Sequence, residues 1–243
     1  MIKIILAITI FAISQPILAQ NREASVAIGY LATGGNTNNQ SSSANFDILW
    51  RGSPWQHALS GSTISASSEN VNTAEAHALE WQSNYSNQNS ESYAFTVVSW
   101  DKDKFSAYDS QIRQSFGYGR KIINTTHHQL NSEIGIGARQ AKTREMIFGA
   151  GAIVVPKIKQ DEAILRLSGS YNWLVSETTE LQQSIALESG SNNTYFEAIT
   201  NLNVNIINNI GLILSYTIKN NSDVPISRKK TDTYTAISLE YAF

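Results

Sequence analysis

The chain has 243 residues, 18 basic and 20 acidic side chains, a net charge of −2 and no cysteine. The charge balance excludes a nucleic-acid binder of the basic-patch type, and the missing cysteines exclude a disulfide scaffold. At 42% hydrophobic residues the chain has apolar side chains to bury, yet past residue 19 they alternate with polar ones and form no run of 18, so a membrane helix is not expected.

Residues 1–19 read as a secretory signal peptide. Lys3 precedes an apolar run from Ile4 to Ile13, then come Pro16 and a small residue, Ala19. The run is too short to span a bilayer, and the composition changes at Gln20. Residues 20–243 are then one domain.

In that domain the alternation predicts twelve strands. The first, Glu23 to Thr33, carries Val26, Ile28, Tyr30 and Ala32 on one face and ends at Gly34-Gly35-Asn36-Thr37. The second, Ser42 to Trp50, points Ala44, Phe46, Ile48 and Trp50 outward and is broken by Arg51-Gly52-Ser53-Pro54. Trp55 to Ala66 is the third, weakly patterned, and Thr73 to Tyr85 the fourth, with Leu79, Trp81 and Tyr85 aligned. In the fifth, Ser92 to Trp100, apolar residues occupy both parities, which leaves its facing open. The sixth is Tyr108 to Arg120 and the seventh Gln129 to Ala141, whose Leu130, Ile134 and Ile136 alternate with Gln129, Asn131 and Glu133. Then follow Glu162 to Trp173, Glu180 to Glu188, Thr194 to Ile206 and Ile210 to Lys219. The last, Thr231 to Phe243, places Phe243, Tyr241, Leu239 and Ile237 on one face and Glu240, Ser238 and Ala236 on the other.

Strands of this length suit a tilted crossing of a bilayer, and an even number puts both termini on the periplasmic side. The predicted fold is an up-and-down antiparallel transmembrane β-barrel in the outer membrane of a Gram-negative cell. Pro54, Pro156 and Pro225 all fall between strands, as a hydrogen-bonded ladder demands. The longest outer loop, Lys142 to Asp161, contains GAGAIVV, a small hairpin or a flap over the mouth. Trp50, Trp55, Trp81, Tyr85, Tyr93, Tyr118, Tyr171, Trp173, Tyr241 and Phe243 collect at the inner strand ends, the place of an interfacial aromatic girdle.

A chain ending on Phe243, with Tyr241 two residues earlier, resembles the closing strand of outer-membrane barrels, where the assembly machinery reads it. Five stretches carry a more specific resemblance. They are Thr-Gly-Gly-Asn-Thr at 33–37, Lys-Asp-Lys-Phe-Ser-Ala-Tyr-Asp-Ser-Gln at 102–111, Tyr171-Asn172-Trp173, and Lys219 to Pro225 with Lys229 to Thr233. Over nearly the whole mature chain these look like the salt-induced outer-membrane proteins, a bacterial family of unknown function. Residues 146–156 look longer than that family's usual loop. The resemblance implies location, fold and a tie to salt stress, and no reaction or ligand.

The densest charged stretch, Asp101, Lys102, Asp103, Lys104 and, further on, Asp109, is a candidate cation or ligand site at the outer mouth; its bland reading is a turn whose charges pair with one another or with lipopolysaccharide. Inward parity makes Asp109, Arg113, Glu133, Arg139, Arg166, Glu188 and Glu240 the candidate lumen charges. In a narrow barrel they pair and fill the interior; in a wider one they line a polar passage. Among His57, His77, His127 and His128, the best candidate base is His77, on one strand face with Glu75. No phosphate-binding glycine loop or metal-spaced cluster occurs, so neither cofactor nor metal is expected. The sequence reading is therefore a non-enzymatic barrel, a narrow pore or a structural envelope protein, against the alternative of a barrel hydrolase (protease or phospholipase type) at the outer rim. Its expected partners are outer-membrane lipid and lipopolysaccharide, the barrel-assembly machinery and small polar solutes or ions.

Overall fold

The computed structural model describes residues 22–33, 39–69, 71–87, 90–104, 108–143, 146–148, 153–155, 158–224 and 229–243. The expected signal peptide lies outside the described residues. The strands are β1 (Arg22–Thr33), β2 (Asn39–Arg51), β3 (Trp55–Ser68), β4 (Val71–Tyr85), β5 (Ser92–Asp103), β6 (Tyr108–Asn124) and β7 (His128–Thr143). After them come β8 (Met146–Phe148), β9 (Ile153–Val155), β10 (Lys159–Ser176), β11 (Thr179–Gly190), β12 (Thr194–Ile207), β13 (Ile210–Asn221) and β14 (Thr231–Ala242).

Twelve of them close into a barrel in chain order, each antiparallel to its neighbours, with β7 beside β10 and β14 beside β1. All twelve expected strands are present. The remaining two, β8 and β9, pair as a separate two-stranded sheet in the long loop, and residues 149–152 of its GAGAIVV segment lie outside the described residues. At the predicted inner end the connections are short, and Asn208 takes φ 47° between β12 and β13, a backbone region that asparagine tolerates.

The distribution of side chains inverts that of a water-soluble globule. The largest fully buried side chains are Arg139, Glu188 and Asn193. Exposed large hydrophobics run around the outside, among them Ile28, Phe116, Ile136, Ile237, Leu239 and Phe243. Strand alternation sends one parity to each side, and here the apolar parity faces out, the arrangement of barrels whose solvent is lipid.

The fifth strand's facing is now fixed. Tyr93, Phe95 and Val97 are buried on the inner side, while Val98 and Trp100 are exposed outside. Tyr93 therefore does not belong to the girdle, where the sequence reading placed it. Its ring fills the lumen because β5 puts its odd residues inward. At the same end, His57 stacks between Trp55 and Trp81 with centroids 6.1 and 6.0 Å away. His128 stacks likewise on Tyr171 and Trp173, at 6.0 and 5.9 Å. Two imidazoles thus belong to the outward aromatic band.

The closing seam differs from the others. β1 pairs β2 along its whole length, from Arg22↔Trp50 to Thr33↔Asn39. Its registered pairing with β14 runs only from Ser25↔Ala242 to Ile28↔Leu239. Beyond it, the hydroxyls of Ser43 and Ser238 meet at 3.2 Å across β1. They can do so because residue 29 is glycine. A Cβ there would lie 2.5 Å from Ser43 Oγ and 2.8 Å from Ser238 Oγ. The terminal residue caps the seam: Phe243 N–H donates to the Ala24 carbonyl at 2.8 Å and its own carbonyl accepts from Ala24 N–H at 3.0 Å. The rings of Tyr241 and Phe243 stand outside, exposed, with centroids 6.1 Å apart.

Candidate functional site: a charge-paired lumen

Twelve strands make a barrel between the side-chain-filled eight-stranded kind and the open sixteen-stranded kind. What fills the interior then depends on the inward side chains. The centre of the arrangement is Arg113 on β6. Its Nη2 donates to Asp101 Oδ1 on β5 at 2.7 Å. Its Nη1 lies 3.7 Å from Glu188 on β11. Its guanidinium also sits 4.7 Å above the ring of Tyr195 on β12. One side chain thus touches three other strands, two of them well around the circle from its own.

Glu188 is shared, because Arg166 on β10 donates to it at 2.6 Å. Arg139 on β7 binds Glu162 on β10 through Nε at 2.9 Å and Nη2 at 2.5 Å, and also donates to the carbonyl of Asn193. Glu162 further accepts the Asn192 N–H at 2.7 Å. Its carboxylate occupies the space over Gly190, where a Cβ would lie 2.2 Å from Oε2. Beside these, Lys219 on β13 lies 3.4 Å from Glu197 on β12, which also accepts the Tyr195 hydroxyl at 2.7 Å. Finally, Tyr234 on β14 donates to Asp103 on β5 at 2.5 Å. Four strands separate those two in the barrel order, so this bond crosses the lumen.

Arg113 and Arg139 are direct register partners. Two like charges so placed repel, and the arrangement holds because each has its own carboxylate. In a site screened from water such pairs interact far more strongly than at a surface, but the loss of one partner leaves a costly bare charge.

Of the sequence-predicted lumen charges, Arg113, Arg139, Arg166 and Glu188 are brought together. Glu133 faces inward but is held by neutral donors: Gln82 at 2.8 Å, Tyr93 hydroxyl at 2.9 Å and Ser168 at 2.8 Å. Glu240 stands apart, near Gly211 toward the inner end. Asp109 falls at a bulge, between the register pairs of Tyr108 and Ser110. The predicted mouth cluster is divided. Asp101 and Asp103 point into the lumen, while Lys102 and Lys104 are exposed on the outer face, where Lys104 pairs with Glu75 at 3.0 Å. Neighbours in sequence are opposites across a sheet.

Sequence reasoning missed Glu162, Tyr195, Glu197, Lys219 and Tyr234. Glu162 shares the parity of Arg166 and was legible. The others needed the register of β12, β13 and β14. Below the network lies a polar cavity of about 230 Å³, lined by Glu80, Gln82, Glu133, Arg166, Ser168 and Glu197 among others. On the outer face, His77 Nδ1 lies 2.9 Å from Thr63 Oγ1.

A family model described as "Protein of unknown function, DUF481" matches residues 26–243. An uncharacterized protein of Escherichia coli K12, YdiY, is 28% identical over 221 residues, covering 90% of this chain and 82% of its own. In three dimensions the chain is similar to the translocator domain of the autotransporter NalP from Neisseria meningitidis, with a TM-score of 0.53, 12% identity and coverage of 93% and 91%. It is also similar to an outer-membrane channel of Pseudomonas putida F1, with a TM-score of 0.50, 10% identity and coverage of 92% and 96%. Both likenesses are of fold.

Proposed function

The chain belongs to the DUF481 family of proteins of unknown function, and from that premise we propose that it is a non-enzymatic outer-membrane barrel closed across its outer half by paired charge. Residues 1–19 direct export and are removed, both termini lie in the periplasm, and the Tyr241/Phe243 end is the signal read by the assembly machinery. The observation that carries the closed reading is Arg113, which joins Asp101, Glu188 and Tyr195 across the interior. The inward groups named above are four cations (Arg113, Arg139, Arg166 and Lys219) against six acids (Asp101, Asp103, Glu133, Glu162, Glu188 and Glu197), so the interlocked side chains obstruct solutes and an opened interior favours cations.

The test is conductance in planar bilayers after fractionation has located the protein. The wild type gives no discrete openings; Arg113→Ala with Glu188→Ala, which clears the bridge across the interior and is shown to be folded by a heat-modifiability gel, gives steady ones. Regular openings in the wild type would replace the plugged barrel with a narrow pore for small polar solutes, the reading that the cavity beneath the network favours. The tie to salt stress rests on motif resemblance alone. An envelope level that stays constant across growth salt would remove it.

A barrel hydrolase is the second reading, and it rests on the Thr63–His77 contact. It is weaker, because the Glu75 carboxylate is bound to Lys104. If it holds, His77→Ala abolishes an ester-cleaving activity that the purified wild type shows.

A further inference from the structure

The register of the outer strand ends carries something that no single strand displays. His77 pairs Lys102, Lys102 pairs Ser110, Ser110 pairs Lys142, and Lys142 pairs Lys159. These are direct partners on β4, β5, β6, β7 and β10, five consecutive strands of the barrel. All have the outward parity, and Lys102, Lys142 and Lys159 are exposed. One rung of the sheet therefore presents three lysines and a histidine to the outside, with no acid in it. At a strand spacing of about 4.8 Å, Lys102 and Lys159 stand roughly 14 Å apart along the rung.

The rung two residues further in reads Leu79, Trp100, Ile112, Gln140 and Asp161. Leu79, Trp100 and Ile112 are exposed hydrophobics. On β5 the lysine thus begins where the outward apolar band stops, with His77 and Ser110 beside it on β4 and β6. On β7 and β10 the boundary is polar, and Asp161 is the acid two residues from Lys159 on the same face. Further out, Lys104 adds a charge that Glu75 takes up. Glu75, whose carboxylate Lys104 holds at 3.0 Å, also feels the charge of Lys102.

Lys142 directly opposite Lys159 is a destabilising juxtaposition in an isolated sheet. Lysine is a compact point charge suited to phosphate. Cations at the edge of an apolar belt meet the headgroup layer of a membrane. We infer that this rung is a binding site for the phosphorylated headgroup of an outer-leaflet glycolipid. Its phosphates neutralise Lys102, Lys142 and Lys159, and its acyl chains lie on Leu79, Trp100 and Ile112. The inference rests on the membrane reading above and adds the lipid class and the strands that hold it.

The test uses the full mature protein, purified in a non-ionic detergent, with bis-phosphorylated lipid A, its dephosphorylated form and inorganic pyrophosphate as probes. Native mass spectrometry reads retention of each. The wild type keeps bis-phosphorylated lipid A and loses the other two, and raising the salt weakens retention. The triple variant Lys102→Gln, Lys142→Gln, Lys159→Gln loses at least tenfold in retention. Lys121→Gln, at the other end of β6, loses none. Heat-modifiability gels on the same samples report whether the barrel is folded, and membrane fractionation of the same strains whether it is inserted. A triple variant that is folded and inserted yet keeps lipid A as well as the wild type overturns the site and leaves the barrel reading standing. A wild type recovered from the soluble periplasm overturns the barrel reading itself. Equal retention of the dephosphorylated lipid overturns the role of phosphate, and pyrophosphate held as tightly overturns the lipid.

Discussion

The two walls of the lumen are built from different residues. From β5 round to β13 the wall projects long side chains: Tyr93, Phe95, Arg113, Glu133, Arg139, Glu162, Arg166, Glu188 and Lys219. Across from it, β14, β1, β2 and β3 offer Ser238, Ala27, Gly29, Ser43, Ser60 and Ser62. The long side chains thus come mainly from one side. Asp47, Glu240 and Tyr234 are exceptions on the other wall, and Tyr234 reaches over to Asp103. The contrast teaches that pairing charges across the interior of a twelve-stranded barrel does not need bulk all round, only one wall whose charges meet each other and an opposite wall made mostly of small residues.

The charged wall breaks most severely at Glu188. Glu188→Ala leaves Arg113 and Arg166 facing each other without a shared acid, and stripping a buried charge of its partner costs about 3–5 kcal/mol. Urea unfolding in detergent or lipid measures it, and a change below about 1 kcal/mol would mean that the pair is solvated. On the opposite wall, Gly29→Val is the harshest change. It overpacks the seam and forces the Ser43–Ser238 hydroxyls apart, an effect of about 1–3 kcal/mol. A variant as stable as the wild type would show that β14 moves aside freely. Next comes Glu133→Gln, which keeps the shape but replaces one accepting oxygen, leaving a donor from Gln82, Tyr93 or Ser168 unmatched. A loss of about 1–2 kcal/mol is expected by the same unfolding assay. The smallest effect belongs to Ser60→Ala on the small wall, within about 0.5 kcal/mol. A larger loss there would make that wall a structural element in its own right and dissolve the contrast.

The strands and their closure were legible in the sequence, because period-two alternation and turn residues are local signals. Val26, Ile28 and Tyr30 could be assigned to the outside from the first strand alone. The fifth strand could not be faced, since Tyr93, Phe95 and Val97 fill the lumen while Val98 and Trp100 face outward, and both sets are apolar. The charge run at Asp101 to Lys104 looked like one cluster because adjacency in sequence is easy to see. Alternation sends its members to opposite sides of the sheet. The lumen network was half legible. Parity picked out Arg113, Arg139, Arg166 and Glu188, but the partnership of Asp103 with Tyr234 spans 131 positions. No periodicity encodes a contact across the interior.

The short pairing of β1 with β14 bears on how the circle is completed. Every other junction follows from a hairpin, or in the case of β7 and β10 a loop, and its partners are tethered close together from the start. The last junction joins the two ends of the chain, and its ladder is confined to the inner end, where Phe243 and Ala24 exchange both of their backbone hydrogen bonds. A ring with a single untethered joint has one place where it can be unlatched. Here the latch is the backbone of Phe243, which holds Ala24 by both of its hydrogen bonds, so a change that only alters its phenyl ring leaves the latch in place.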